Sequence, residues 1–461
     1  ATAYEKETGT PVRLQFGGTS TLLTQLRVAK QGDLFIAADD GALADAKKLD
    51  LTREELRLVQ QWPVIAVAKG NPKKITGLDS LLADGIKLAL ANPEAASVSK
   101  ISKKLLGARW DALAMKAAVM KPTVMDVAAD LSLGSVDAAI IWNTTVPQFD
   151  KLDAVEAPEL AAHKEFATAA VLASSADSAA ALRFARYLSA PEKGAATFTK
   201  HHFTAIPGDA WSLRPDLILY SGGVNRIAIE GLLKKFAAHE GISVTTTFNG
   251  CGILCAAMKT MGDSTNPKYP DVYYACDICF VPPVAAQFPE AVLLTEAEII
   301  IAVPKGNPKG IHTLADLARE GLKVGICNAE QSTIGYLTQS MLKSMNLWDS
   351  VSKNASAQSP TADLLVNQLR TGSLDAAVVY LNNIVPQKEH FDAVKLPADK
   401  AKAIQPFAVR HDSPHRQLGQ RLLAFLLKNR ESFEQAGFTW SPNLKPLKSA
   451  EIELPEWLKQ K

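Results

Sequence analysis

Of the five cysteines in this 461-residue chain, all but Cys327 fall in two short stretches. These are Asn249-Gly-Cys-Gly-Ile-Leu-Cys255 and Tyr274-Ala-Cys-Asp-Ile-Cys279. Thiols spaced Cys251-x3-Cys255 and Cys276-x2-Cys279 can do three kinds of chemistry. They can pair as disulfides in an oxidising compartment. They can ligate zinc or a cluster, since paired short spacings suit tetrahedral coordination. They can act as free thiols in a redox or soft-ligand site. All three stand at this level. Attached haem does not, because Phe280 follows Cys279 where a histidine would be needed. Cys327 lies at a strand end and reads as a small buried residue.

These residues need elements to hold them. A strand-like run, 243–248, feeds a turn bracketed by Gly250 and Gly252, and an apolar stretch from Ile253 reads as a helix. A second run, 271–274, ends in the turn carrying Cys276. As parallel neighbours, the two strands would place both turns at the sheet edge outside the strand carboxyl ends, where open α/β sheets bind ligands.

Composition sets bounds. Hydrophobic residues are 47% and charged residues 21%, so the chain can bury large cores. A net charge of +2 gives no case for nucleic acid. No stretch approaches the roughly 18 apolar residues of a membrane span. The polar opening Ala1-Thr-Ala-Tyr-Glu-Lys6 is not a signal peptide, and a mature, processed or trimmed chain would begin this way. Phosphate-binding glycine loops and the Gly-x-Ser-x-Gly nucleophile turn are missing, and no acid–base pair is identifiable, so the expected role is not enzymatic. His201-His202 lacks a second ligand pair and reads as a surface or cap feature.

Self-similarity is the most informative pattern. Val12-Arg-Leu-Gln-Phe-Gly-Gly-Thr19 matches Val244-Thr-Thr-Thr-Phe-Asn-Gly-Cys251. Gly32-Asp-Leu-Phe-Ile-Ala-Ala-Asp39 matches Pro270-Asp-Val-Tyr-Tyr-Ala-Cys-Asp277. Val64-Ile-Ala-Val-Ala-Lys-Gly-Asn-Pro72 matches Ile300-Ile-Ala-Val-Pro-Lys-Gly-Asn-Pro308. The same order continues through 86–92 with 322–328 and 134–142 with 372–380. The chain is therefore one module written twice, residues 1–212 and 213–461, joined near the Pro/Gly-bearing segment 207–215. Strand-like and helical patterns alternate in each copy, which implies an α/β fold with parallel sheets. The second copy opens with Leu217-Ile-Leu-Tyr-Ser-Gly-Gly-Val224 and a helix through Phe236. The first copy lacks that strand, its turn and most of the helix, with Tyr4 standing at the place of Phe236. A truncated or processed start is the expected cause, because a missing strand leaves sheet backbone unpaired.

These motifs resemble the molybdate/tungstate-binding proteins of ABC importers, within the type II periplasmic solute-binding fold. The resemblance covers nearly the whole chain, twice. It implies two tandem bilobed domains, each lobe a mostly parallel sheet flanked by helices, with crossings marked by the Lys-Gly-Asn-Pro segments. In that family an oxyanion is held by backbone N–H groups at helix starts and a few hydroxyls. Carried over by position, the ligand-binding set is Ser221, Gly222, Gly223, Arg226, Asn249, Gly250, Cys251, Gly252, Ala275, Cys276, Ser332 and Tyr380. Cys251 stands where a serine or threonine is usual, and Ala275 replaces a serine. In the first copy, Thr19 and Ser20 offer hydroxyls, Ala37 and Ala38 none, Asp39 and Asp40 add negative charge, and Trp142 replaces the tyrosine. The first cleft is expected to be empty or to select a different ligand.

If both turns once bound one anion, Cys251 and Cys276 are close enough to bridge, with Cys255–Cys279 as a second candidate pair. The resemblance implies an extracytoplasmic or periplasmic protein, with no cofactor, that captures a small oxyanion and presents it to a membrane permease. The alternative is a scaffold or redox/metal subunit that reuses the fold, with Cys251, Cys255, Cys276 and Cys279 as disulfides or metal ligands.

Overall fold

The structure is a computed structural model and describes residues 1–397 and 401–452. The chain forms two compact units, Ala1–Leu213 and Arg214–Lys461.

Unit 1 contains two sheets. A four-stranded sheet has the order β1 (Leu34–Ala37), β8 (Glu165–Leu172), β2 (Thr52–Gln61), β9 (Thr204–Ala205). A five-stranded sheet has the order β5 (Ala117–Lys121), β4 (Leu88–Ala91), β6 (Ala138–Trp142), β3 (Pro63–Ala68), β7 (Leu152–Val155). β4 and β6 are buried at every position, as their unbroken apolar runs require. The helices used below are α1 (Thr2–Thr8), α2 (Thr19–Ala29) and α3 (Ser97–Leu106). Trp211 closes this unit's edge. Its ring stacks edge-on against Tyr4 and Tyr187, and its Nε1–H donates to Glu7 at 2.6 Å.

Unit 2 has an eleven-stranded sheet. Its main path runs β11 (Ser243–Asn249), β10 (Asp216–Gly222), β12 (Val272–Tyr274), β18 (Lys402–Val409), β13 (Glu290–Pro304), β16 (Ala376–Tyr380), β14 (Val324–Cys327), β15 (Ala355–Ser359). β17 (Phe391–Lys395), β19 (Thr439–Trp440) and β20 (Pro446–Lys448) pair with β13. The helices that matter are α4 (Arg226–Glu240), α5 (Cys251–Met261), α6 (Thr333–Ser344) and α7 (Ala362–Arg370).

The sheets are mixed rather than mostly parallel. Parallel pairs are β10–β11, β10–β12, β14–β15 and β14–β16, with β4–β5 and β4–β6 in unit 1. The crossing strands and their partners run against these, and the four-stranded sheet of unit 1 is antiparallel throughout. β11 and β12 are not neighbours, because β10 lies between them. Both run parallel to it, with Gly222 opposite Asn249 and Ser221 opposite Tyr274, so the two turns still share one edge.

The lobe crossing lies before the Lys-Gly-Asn-Pro segments, not at them. β13 pairs with β18 up to Glu298 and with β16 from Ile299. In unit 1 the same path is broken: β2 ends at Gln61 and β3 starts at Pro63. Pro63 stands where unit 2 has Ile299, whose N–H donates to Ala401 O at 2.7 Å. Proline has no such donor. The Lys-Gly-Asn-Pro segments are tight turns, with Asn71 and Asn307 in the left-handed region at φ 47°.

Residues 12–16 repeat β11 in sequence but form no strand. Among the described residues, β11 bonds to β10 and to no other strand, and no strand of unit 1 corresponds to β10. Deprived of a partner, the segment leaves Leu14 55% and Phe16 87% exposed.

Candidate functional site

In unit 2 the carboxyl ends of six strands face one cleft. β10, β11 and β12 end at Gly222, Asn249 and Tyr274, and β14, β15 and β16 at Cys327, Ser359 and Tyr380. Helix starts follow directly: α5 after Gly250, α6 after Ser332, α7 after Thr361. The first N–H groups of each helix have no acceptor within it and carry the positive end of its dipole. Gly250 has no side chain, and neither Ser332 nor Thr361 turns its side chain back to accept from its own helix. The cleft between them is lined by Gly223, Val224, Asn249, Gly250 and Cys276 on one side. Ser332, Ile334, Pro360, Thr361, Ala362, Asp363, Tyr380 and Asn383 line the other.

The lobes meet closely. The room left for the centre of a water-sized body is about 20 Å³, where one water needs roughly 10–15 Å³. A Cβ on Gly250 would lie 2.3 Å from Gln331 O and 2.9 Å from Pro360 O, and one on Gly252 2.5 Å from Glu330 O. The glycines bracketing Cys251 are thus demanded by the approach of the facing lobe. Unit 1 repeats the contact, with Gly18 similarly placed against Ala95 O at 2.8 Å.

Two polar groups near this cleft are strongly perturbed. Tyr380 is 3% exposed, and its hydroxyl has no hydrogen-bond partner among the described residues. Burial, with a smaller contribution from Asp277, pushes its pKa well up. Asp277 is pushed up to about 6 by burial, against the opposing effect of the Cys279 and Ile404 N–H groups that donate to it. The turn after β12 is held by two buried side chains. Gln405 Nε2 donates to Cys276 O at 3.2 Å, and Asn225 Nδ2 donates to Tyr274 O at 3.1 Å.

Of the residues proposed from sequence, Gly223, Asn249, Gly250, Cys276, Ser332 and Tyr380 line the cleft. The others lie behind or beside it. Ser221 is buried and bonded to Gly222 O, and Gly222 lies so close to Cys276 that a Cβ would stand 2.6 Å from its Cβ. Ala275 donates its N–H to Pro406 O at 2.9 Å, not to the cleft. Arg226 is exposed and lies over the Phe248 ring, 4.8 Å from its centroid, so its fork of donors is turned elsewhere. Cys251 is fully buried, and Gly252 abuts the facing loop.

Cys251 and Cys276 form a disulfide with Cα atoms 6.3 Å apart. Cys276 N–H donates to Cys251 Sγ at 3.0 Å, and Cys276 Sγ lies 3.0 Å from Thr333 Oγ1. The second candidate pair is not formed: Cys255 and Cys279 are free. Cys255 Sγ is 3.5 Å from both Tyr273 Oη and Phe280 O, and burial pushes both thiols up. With Cys251 and Cys276 joined to each other, a four-thiolate set is not assembled. Among the described residues, no group of three or more His, Cys, Asp or Glu side chains is placed to hold a metal. Cys327 is 2% exposed, with its thiol pushed up to about 12 by burial. His201 and His202 are exposed.

Unit 1 adds a carboxylate at the equivalent strand ends: Asp39 is the counterpart of the equally buried Asp277, and Glu165 joins it. Asp39 is 3% exposed and Glu165 5% exposed. Burial raises the Asp39 pKa, with Glu165 adding to the rise, and Asp40 N–H donates to Glu165 at 2.8 Å. Thr19 is buried at the start of α2, and Trp142 is 6% exposed at the end of β6.

Val224, Ile334, Pro360, Thr361, Ala362, Asp363 and Asn383 line the cleft without having been expected to. For Pro360 and Thr361 a signal was present. Pro122-Thr123 and Pro360-Thr361 recur at matching places in the repeat, each directly before an amphipathic helix.

Among known proteins, the family described as bacterial extracellular solute-binding protein matches residues 1–204 and 217–439. A putative binding protein of Haemophilus influenzae is 28% identical over 162 residues, covering 34% of this chain and 65% of the relative. The molybdate-binding protein ModA of Escherichia coli is 33% identical over 129 residues, covering 26% of this chain and 49% of the relative. The chain thus spans less than two thirds of the length of these two curated relatives. Of solved structures, the periplasmic molybdate-binding protein of Azotobacter vinelandii aligns at 15% identity with a TM-score of 0.41, covering 48% of this chain and 98% of that one. The family match runs through most of both halves of a duplicated α/β chain, and the chain belongs to the bacterial extracellular solute-binding proteins.

Proposed function

We propose that unit 2 captures a small oxyanion of the molybdate/tungstate type and presents it to the membrane permease of an ABC importer, acting outside the cytoplasm. The observation that carries this reading is the convergence of the starts of α5, α6 and α7 on one cleft, none capped by its own side chain. Such a cage suits a small, multiply charged oxygen anion, because each helix start offers donors and a positive dipole end. The buried, unpartnered Tyr380 hydroxyl is the natural side-chain donor. Gly223, Asn249, Gly250, Cys276 and Ser332 supply the rest of the wall. Capture proceeds by lobe closure, and a bound anion favours the closed state. Binding needs no catalytic residue, and the named relatives are binding proteins. Unit 1, with Glu165 buried as a second carboxylate near Asp39, either binds nothing or selects a different ligand.

Calorimetric titration with molybdate, tungstate, sulfate and phosphate tests this. One of these should bind with a stoichiometry of one, and Tyr380→Phe should weaken it roughly tenfold or more, the usual value of a hydrogen bond to a charged group. If none of the four binds, the capture reading falls. A second reading, a scaffold or redox subunit on the same fold, is favoured by one observation: Cys276 N–H already donates to Cys251 Sγ. It gains if none of the four anions binds.

A further inference from the structure

Unit 1 holds a cavity of its own. It opens between α2, the helix Asp40–Lys48 and α3, and has a volume of about 280 Å³. On the same measure one water needs roughly 10–15 Å³. Both lobes build its wall. Ser20, Leu23 and Thr24 come from α2, and Ala42 and Asp45 from the helix Asp40–Lys48. Pro93 and Glu94 precede α3, and Lys100 and Lys103 stand on it.

Differences between the two copies open this space. By the repeat, Ala42 stands at the place of Phe280, and Lys100 at the place of Tyr336. In unit 2 both rings are half-buried and pack against the core. Unit 1 has a methyl group and a flexible stem instead. The same positions bring in charge. Asp45 stands for Pro283 and Lys103 for Gln339, while Glu94 matches Glu330. Hydroxyls arrive as well, Ser20 for Gly252 and Thr24 for Ala256. All these counterparts lie within 252–256, 280–283 and 330–339, so the cavity owes nothing to the strand and turn that open unit 2.

The charges are of both signs. Lys100 and Lys103, three apart on α3, are neighbours on one helix face. Asp45 lies 3.8 Å from Lys100 Nζ and 3.7 Å from Lys48 Nζ, both longer than a hydrogen bond, so its oxygens keep acceptor capacity. Two ammonium groups and two carboxylates thus edge a floor of Leu23, Ala42 and Pro93. An ion of one sign meets a like charge there, whereas a molecule carrying both signs meets a partner for each. We propose that this cavity is a binding site for a small zwitterion of amino-acid size. Lys103 and Ser20 Oγ hold its carboxylate, Asp45 and Glu94 hold its ammonium, and its carbon skeleton rests on Leu23 and Ala42. Because the two lobes of unit 1 share the wall, the ligand favours their closure. The site is separate from the anion cleft of unit 2 and does not depend on it.

The test is calorimetric titration of the full chain with the common amino acids, with acetate and ethylammonium as single-charge controls. At least one amino acid should bind with a stoichiometry of one, and neither control should match it. Lys103→Gln, at an exposed position, should weaken that binding roughly tenfold or more, the usual value of a hydrogen bond to a charged group. Ala42→Phe, which restores the ring of unit 2, should abolish it. Molybdate titration of both variants should match the parent. If Ala42→Phe does not fold by circular dichroism, Lys103→Gln alone decides. No binding of any amino acid at millimolar concentration overturns the proposal. So does acetate binding as tightly as the amino acid, and so does amino-acid binding that is unchanged in Lys103→Gln.

Discussion

At the residue scale, hydrogen-bond partnering rather than burial distinguishes two tyrosines at the cleft edge. Tyr380 and Tyr274 both end cleft-facing strands and both are buried, but Tyr274 Oη shares a hydrogen bond with Thr295 at 2.8 Å and Tyr380 Oη has no partner. Tyr380→Phe should therefore leave the thermal midpoint unchanged or raised while anion affinity falls, since an unpartnered buried hydroxyl contributes no stability. Asp363 lines the same cleft with a negative charge. Asp363→Asn should tighten oxyanion binding a few fold, a modest effect because the side chain is exposed and screened. Asp277 gives a pH signature. Its pKa rises from 3.8 unfolded to about 6 folded. Between those values the folded chain keeps a proton that the unfolded chain has lost, so this contribution is full below about pH 4 and falls as pH rises to 6. Each unit of such a shift is worth about 1.4 kcal/mol. Urea midpoints for unit 2 across that range should decline less steeply in Asp277→Asn than in the parent, even if the amide lowers stability throughout.

At the element scale, the repeat made the alternation of strands and helices readable, and the glycine-bracketed turn located α5 correctly. What sequence could not give was adjacency. Nothing in 243–248 or 271–274 says that β10 lies between them, because strand order is set by long-range pairing. Nor does Ala275 announce that its N–H is taken by Pro406, or Arg226 that an aromatic ring draws it aside. Six of the twelve ligand candidates reached the lining, and the facing wall at 360–363 was missed because its distance in sequence hides its nearness. The same crowding offers a test of closure. Gly250 has φ −63°, which alanine adopts freely, yet its Cβ would meet Gln331 O at 2.3 Å. Gly250→Ala should leave unfolding little changed but hold the lobes apart, seen as weaker anion binding and a larger radius of gyration by small-angle scattering.

At the scale of the whole molecule, duplication and divergence explain why the two units differ in chemistry. Unit 2 carries the Cys251–Cys276 bridge, closing a loop of sequence separation 25. Chain-entropy arguments value such a loop at about 3 kcal/mol. Cys276→Ser should therefore lower the calorimetric transition of unit 2 and leave that of unit 1 in place, and a shift of both together would contradict the domain division. The crossings diverge as well. β13 runs unbroken from lobe to lobe, whereas the equivalent path in unit 1 is interrupted at Trp62-Pro63. A continuous ribbon stores torsion like a leaf spring: it resists bending, limits travel and recoils when released. The ribbon cut at Pro63 is instead riveted by a side chain: Trp62 N–H donates to Asn143 Oδ1 and Trp62 O accepts from Asn143 N–H, both at 2.9 Å. The two jaws of one chain thus hang on differently built hinges.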